Sequence, residues 1–120
     1  MNASFESVMP AMTVGDLPRA IDFYTSTLGF ECVFTNGNPI CFALLKKDSI
    51  EISLSTDRFG GVPGKNNCYI KLKGINSVYS DYTSKNVKVL HPLRTEEYGM
   101  HEFMIEDLDG NTINFGEPVS

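Results

Sequence analysis

Two stretches of this chain, 58 residues apart, carry the same succession of patterns, and that repetition limits the fold more than any other feature. The tripeptide Tyr24-Thr-Ser26 recurs as Tyr82-Thr-Ser84, and Leu17 has Ile75 as its counterpart at the same offset. The first stretch opens with β-favouring residues, Val8 to Val14, in which Pro10 restricts the strand to an edge or to a place where its amide need not pair. Gly15-Asp16 breaks it; Asp16 suits a helix N-cap, and Pro18 follows where a missing amide costs little. Leu17, Ala20, Ile21, Tyr24 and Leu28 then recur at three- and four-residue steps, one apolar stripe on a short helix that Gly29 ends. Strands are predicted over Phe30–Thr35, Ile40–Leu45 and Ser49–Ser55, joined by hairpin-length turns at 36–39 and 46–48. The second stretch repeats the order: a strand over Cys68–Lys73, a stripe of Ile75, Val78, Tyr79 and Tyr82 ending near Asn86, then strands Val87–Leu90, Met100–Glu106 and Asn111–Phe115. The same order of elements, met twice, reads as an internal duplication of a βαβββ unit.

Neither half can bury both a sheet and a helix alone. The expected architecture is α+β: two βαβββ modules forming a half-open, cup-shaped mixed sheet with the helices on its convex side. A length of 120 residues suits a single domain spanning 1–120, with module one at 5–55, a Gly-rich linker at 56–66 and module two at 67–117. Alternation assigns faces. Ile50, Ile52 and Leu54 face the helix, leaving Ser49, Glu51 and Ser53 to the cup. Cys68, Ile70 and Leu72 are core, with Asn67, Tyr69 and Lys71 opposite, and Ile113 and Phe115 are core, with Thr112 and Asn114 in the cup. Cys68 is then a structural thiol.

Ten basic against fifteen acidic residues leave a net charge of −5, which disfavours a nucleic-acid partner and suits a cationic or neutral one. Three cysteines (Cys32, Cys41 and Cys68) with no CxxC spacing support neither a disulfide framework nor a zinc knuckle, and point to free thiols in the cytoplasm. The first residues, Met1-Asn-Ala-Ser-Phe-Glu, lack the pattern of a secretory signal, and the longest apolar run, Cys41–Leu45, is far short of a membrane span. Gly60-Gly-Val-Pro-Gly-Lys65 is one residue short of a phosphate-binding loop, and Asn66 replaces its Ser or Thr. Asp107-Leu-Asp-Gly110 lacks the acids of a calcium loop and reads as a hairpin turn. His91, before Pro92, reads as a loop or strand-end histidine; His101 shares a face with Phe103 and Ile105 and reads as packed or at a pocket rim.

The run from Met12 to Phe30, with Gly-Asp-Leu-Pro-Arg-Ala-Ile-Asp-Phe-Tyr at its centre, resembles the opening of the vicinal oxygen chelate superfamily, which holds glyoxalases, extradiol dioxygenases, and fosfomycin- and bleomycin-resistance proteins. Tyr98-Gly-Met-His-Glu-Phe103, followed by Asp107-Leu-Asp-Gly-Asn111, resembles its closing signature. In size and motif the bleomycin-resistance proteins are the nearest subgroup.

Superfamily enzymes hold one divalent metal through His or Glu on quasi-equivalent strands, and the resemblance maps those positions onto Met9, Glu51, Asn67 and Asn114. A thioether and two neutral amides do not replace imidazole and carboxylate donors, so neither a metal nor another cofactor is expected. The resemblance then implies a bleomycin-resistance-like protein: a homodimer that binds and sequesters a small, cationic, ring-bearing molecule without metal catalysis. The alternative is a metal-dependent lyase or isomerase of the glyoxalase type. Candidate ligand-binding residues are Met9, Glu51, Asn67, Tyr69, Tyr98, His101 and Asn114, with Tyr98 standing where the best-known members place a Trp.

Overall fold

The computed structural model describes residues 2–120; Met1, part of the segment read for a leader, lies outside them. Eight strands and two helices follow in order: β1 (Ala11–Thr13), α1 (Leu17–Asp22), β2 (Glu31–Gly37), β3 (Ile40–Lys47), β4 (Ile50–Ser55), β5 (Asn67–Lys71), α2 (Ile75–Ser84), β6 (Lys88–Thr95), β7 (Met100–Glu106) and β8 (Thr112–Pro118). They form two four-stranded mixed sheets of identical design, β1-β4-β3-β2 and β5-β8-β7-β6. In each, the first strand pairs in parallel with the last and the remaining pairs are antiparallel. The α+β fold of two βαβββ units is as the duplicated pattern required, and no barrel closes.

Local chemistry explains the elements and their departures from expectation. Asp16 caps α1, its carboxylate accepting the Arg19 amide at 3.1 Å. The quasi-equivalent residue of module two is Gly74, which has no side chain to offer. There Glu117, arriving from β8, accepts the Gly74 and Ile75 amides at 3.1 and 3.0 Å and caps α2 from a distance. The stripe from Leu17 to Leu28 is one helix in the sequence pattern, but α1 widens after Asp22 into a π-helical turn, Phe23–Thr27, closed by the Leu28 amide donating to the Phe23 carbonyl. β1 is shorter than Val8–Val14, because only residues 11–13 pair, with the Pro10 carbonyl accepting the Ser53 amide. β6 is longer than Val87–Leu90: register shifts between Val89, His91 and Arg94 carry it past Pro92, as an edge strand with bulges tolerates.

The core is one cluster shared by both modules, including Met12, Tyr24, Leu28 and Leu54 from the first and Ile75, Tyr82, Phe103 and Phe115 from the second. Burying a side chain such as Leu54 or Phe103 is worth about 1.5–3 kcal/mol each. The repeated tyrosines bind the halves reciprocally. Tyr24 donates its hydroxyl to Asp107 of module two at 2.7 Å, and Tyr82 donates to the Leu28 carbonyl of module one at 2.8 Å.

The linker is tied down. Asn66 accepts the Thr13 amide through Oδ1 at 2.8 Å and donates its own amide to Asn111 Oδ1 at 3.0 Å. Gly64, at φ +80°, lies against the Asp109 carbonyl, where a Cβ would collide with backbone. Gly64→Ala is therefore expected to lower stability by about 3 kcal/mol, from left-handed strain plus the clash. A urea transition within about 1 kcal/mol of the parent protein would refute that packing.

Candidate functional site

Strand register defines the outer face of the second sheet, the one turned away from α2. Tyr69 lies beside Asn114 and Asn114 beside Met104, while Gly116 lies beside Glu102 and Glu102 beside Arg94. Opposite them Phe103, Ile105, Ile113 and Phe115 fill the core. The outer face is polar and carries a hollow of about 170 Å³ lined by residues that include His91, Arg94, Glu96, Tyr98, Glu102 and Asn114.

Glu102 is its centre. Tyr69 donates its hydroxyl to Glu102 Oε2 at 2.5 Å, and Tyr98 donates to Oε1. Tyr69 crosses β8 to reach that carboxylate, and only a residue without a side chain lets it pass: a Cβ on Gly116 would run into the Tyr69 ring. Both rings stay open, Tyr69 at 48% and Tyr98 at 68% exposure. The hydrogen bond to Glu102, ahead of desolvation, pushes the Tyr98 hydroxyl up to about 12. Tyr69 is raised further, by desolvation first and then by its bond to the same carboxylate. In alkaline spectrophotometric titration, Tyr98 is expected to ionise near 12, and Glu102→Gln to bring it back toward the ordinary 10. Superimposable titration curves would show that the carboxylate does not hold the phenol. Arg94 completes the cluster by pairing with Glu96 at 2.6 Å, so Glu102 has no ion-pair partner among the described residues.

Of the residues singled out from sequence, Tyr69, Tyr98 and Asn114 meet on this face. Asn67 begins β5, two residues before Tyr69, opposite Thr112. Glu51 lies on the other sheet, beside Lys46 of β3, and Met9 precedes β1 and is exposed. His101 does not join the group. It lies on the helix side of β7 with Phe103, its Nδ1 2.7 Å from the Thr95 hydroxyl and Glu117 next to it in register. The Glu117 carboxylate is held below its usual range mainly by the Ile75 and Gly74 amides, with His101 nearby a lesser cause. Its neighbour Glu102 holds the place given to His101, because alternation turns adjacent residues to opposite faces. His91, read as a strand-end residue, lines the hollow because the β6 bulge re-aims it.

The second part of the closing signature, Asp107 to Asn111, has a different task. Asp107 accepts hydrogen bonds from Tyr24, from the Asp109 and Asn111 amides and from Asn111 Nδ2, while Asn111 Nδ2 also donates to the Thr13 carbonyl. Asp109 accepts the Gly15 amide. These residues clamp module two onto β1 and lie outside the hollow. Among the described residues no group of three or more His, Cys, Asp or Glu side chains is placed to hold a metal ion, and no helix is long and apolar enough to cross a membrane.

Comparison with known proteins agrees with this fold. Residues 6–115 match the model of the Glyoxalase/Bleomycin resistance protein/Dioxygenase superfamily. Bleomycin resistance proteins of Geobacillus stearothermophilus and Staphylococcus aureus are 27% identical over 131 residues, covering 92% of this chain and 96% of theirs. Among solved structures, the bleomycin-binding protein of Streptomyces verticillus, complexed with copper(II)-bleomycin, superposes with a TM-score of 0.79 at 21% identity and covers 98% of each chain. TnmS3, an antibiotic binding protein from Streptomyces sp. CB03234, does so with a TM-score of 0.82 at 21% identity, again over 98% of each. With its duplicated sheets, its opening and closing motifs and a family match across nearly its whole length, this chain belongs to the glyoxalase/bleomycin resistance protein/dioxygenase superfamily.

Proposed function

We propose that this protein binds and sequesters a bulky, cationic, ring-bearing small molecule of the bleomycin kind and does not transform it. One observation carries the reading: a carboxylate, Glu102, without an ion-pair partner among the described residues and presented between two open tyrosine rings. The carboxylate attracts a cation, and the rings offer faces on which a flat heteroaromatic group stacks. A net charge of −5 draws such a ligand toward the protein. The names of the relatives from Geobacillus and Staphylococcus and the ligand of the Streptomyces verticillus protein point to the same class of molecule.

The donor set speaks for binding without metal catalysis. The positions that the superfamily's metal ligands map onto hold Met9, Glu51, Asn67 and Asn114, a single carboxylate beside a thioether and two amides. That set does not suit a first-row divalent ion. A homodimer is supported by the apolar side chains left in water on module one, where Phe5 is 98% and Val8 88% exposed and edge strand β2 shows Val33 and Phe34. Three free thiols suit a cytoplasmic protein.

Calorimetric titration with bleomycin tests the ligand: saturable binding is expected, and no heat up to about 1 mM, near −4 kcal/mol, would remove it. Elemental analysis of protein purified without added metal tests the absence of metal catalysis. A stoichiometric divalent ion would favour a lyase or isomerase instead. Sedimentation at micromolar concentration tests the dimer, and a monomer alone would exclude it.

A further inference from the structure

Glu102 owes its lack of an ion-pair partner to the way Arg94 points. Cross-strand register sets Lys71, Gly116, Glu102 and Arg94 in one row on the outer face of the second sheet. Residues placed directly opposite on antiparallel strands have Cβ atoms about 5 Å apart, so the Arg94 guanidinium is within reach of the Glu102 carboxylate. A second acid is equally near. Glu96 stands two positions further along the chain, where alternation returns a residue to the same face.

Arg94 takes Glu96. Its Nε donates to Glu96 Oε1 at 2.6 Å, and its side chain is 61% exposed against 23% for that of Glu96. Glu96 is the fixed member of the pair: its amide donates to the Met100 carbonyl at 2.8 Å and its carbonyl accepts the Gly99 amide at 3.0 Å, closing the turn between β6 and β7. Glu102, in contrast, is satisfied by neutral donors. The Tyr69 and Tyr98 hydroxyls each take one of its oxygens, which orients the carboxylate and leaves its charge in place. Lys71, at the far end of the row, belongs to no ion pair among the described residues. The hollow is thus lined by the carboxylates of Glu96 and Glu102, the guanidinium of Arg94 and the imidazole of His91, and the choice that Arg94 makes decides which acid stays free.

We propose that Glu96 is a positioning residue of the ligand site: by holding Arg94 aside it keeps the protein's own cation off Glu102 and leaves that carboxylate to the cation of a ligand. The inference rests on the reading of Glu102 as a cation-binding group. Freed from Glu96, Arg94 turns its guanidinium onto Glu102, and a ligand then has to displace it.

The test is calorimetric titration of bleomycin into the intact parent protein, Glu96→Gln, Arg94→Gln and the double variant Arg94→Gln/Glu96→Gln. Glu96→Gln is expected to weaken binding about fivefold, the strength of an exposed ion pair that the ligand must break. In the double variant no arginine can take the place, so its affinity should lie within about twofold of that of Arg94→Gln alone. This dependence on Arg94 separates positioning from two other effects. Loss of the Glu96 charge by itself weakens binding equally in both backgrounds, and a disturbed fold is not repaired by a second substitution. A crystal structure of the Glu96→Gln variant should place the Arg94 guanidinium within about 4 Å of the Glu102 carboxylate. No loss in Glu96→Gln, equal losses with and without Arg94, or an arginine that stays clear of Glu102 in that crystal would overturn the proposal. A parent protein that fails to bind bleomycin overturns the sequestration reading instead, and the position of Arg94 in the variant crystal then decides by itself whether Glu96 holds it.

Discussion

Asp107→Ala is expected to cost about 3–5 kcal/mol of stability, the scale at which removing one partner from a buried, fully hydrogen-bonded carboxylate is felt. Asp107 is nearly inaccessible and accepts from four donors, so its loss orphans the Tyr24 hydroxyl, the Asn111 side-chain amide and two backbone amides at once. Tyr24 and Asn111 are themselves fully buried, and water cannot replace the lost acceptor. Tyr24→Phe removes one bond and leaves Asp107 its other three donors, for about 1 kcal/mol. The two variants therefore fall in a fixed order in urea denaturation. If Asp107→Ala proved no worse than Tyr24→Phe, the residue would be a turn former and not the clamp between modules.

Glu102→Gln is expected to weaken a cationic ligand about thirtyfold, near 2 kcal/mol, because a charge-assisted contact is exchanged for a neutral one. Stability should barely change, since Glu102 is only half-buried and its partners Tyr69 and Tyr98 remain exposed enough to find water. The loss should be largest at low salt and shrink as ionic strength rises, as screening predicts for an open site. A dissociation constant for bleomycin that is identical in the two proteins would mean that the carboxylate serves the tyrosines alone and faces no ligand.

Sequence patterns reached far into the fold and only partly into the site. The reciprocal tyrosines, Tyr24 and Tyr82, are visible as a repeated tripeptide, but their partners are not, because Asp107 and the Leu28 carbonyl lie 83 and 54 residues away. Tyr69 and Asn114 could be picked out as residues facing out of a half-polar sheet, whereas Tyr98, in the turn before β7, was legible only through the family resemblance. Glu102 stands in the closing motif directly beside His101, whose imidazole is the more conspicuous chemical group. Alternation separates those two residues onto opposite faces, and the burial of Phe103 and Ile105 then decides which is turned inward. The bulge that brings His91 into the hollow follows from pairing between β6 and β7, which no local pattern encodes.

By itself the sequence determined the order of the strands and helices, the faces they bury and the membership of the fold. Periodicity and turn residues are local, and each element states its own buried side. The tertiary structure alone decided that Tyr69 reaches over Gly116 to Glu102, 33 residues away, and that Asn111 grips the Thr13 carbonyl from a distance of 98. These features join residues remote along the chain, and they exist only once two sheets have packed on a common core and fixed which edges meet and which diverge.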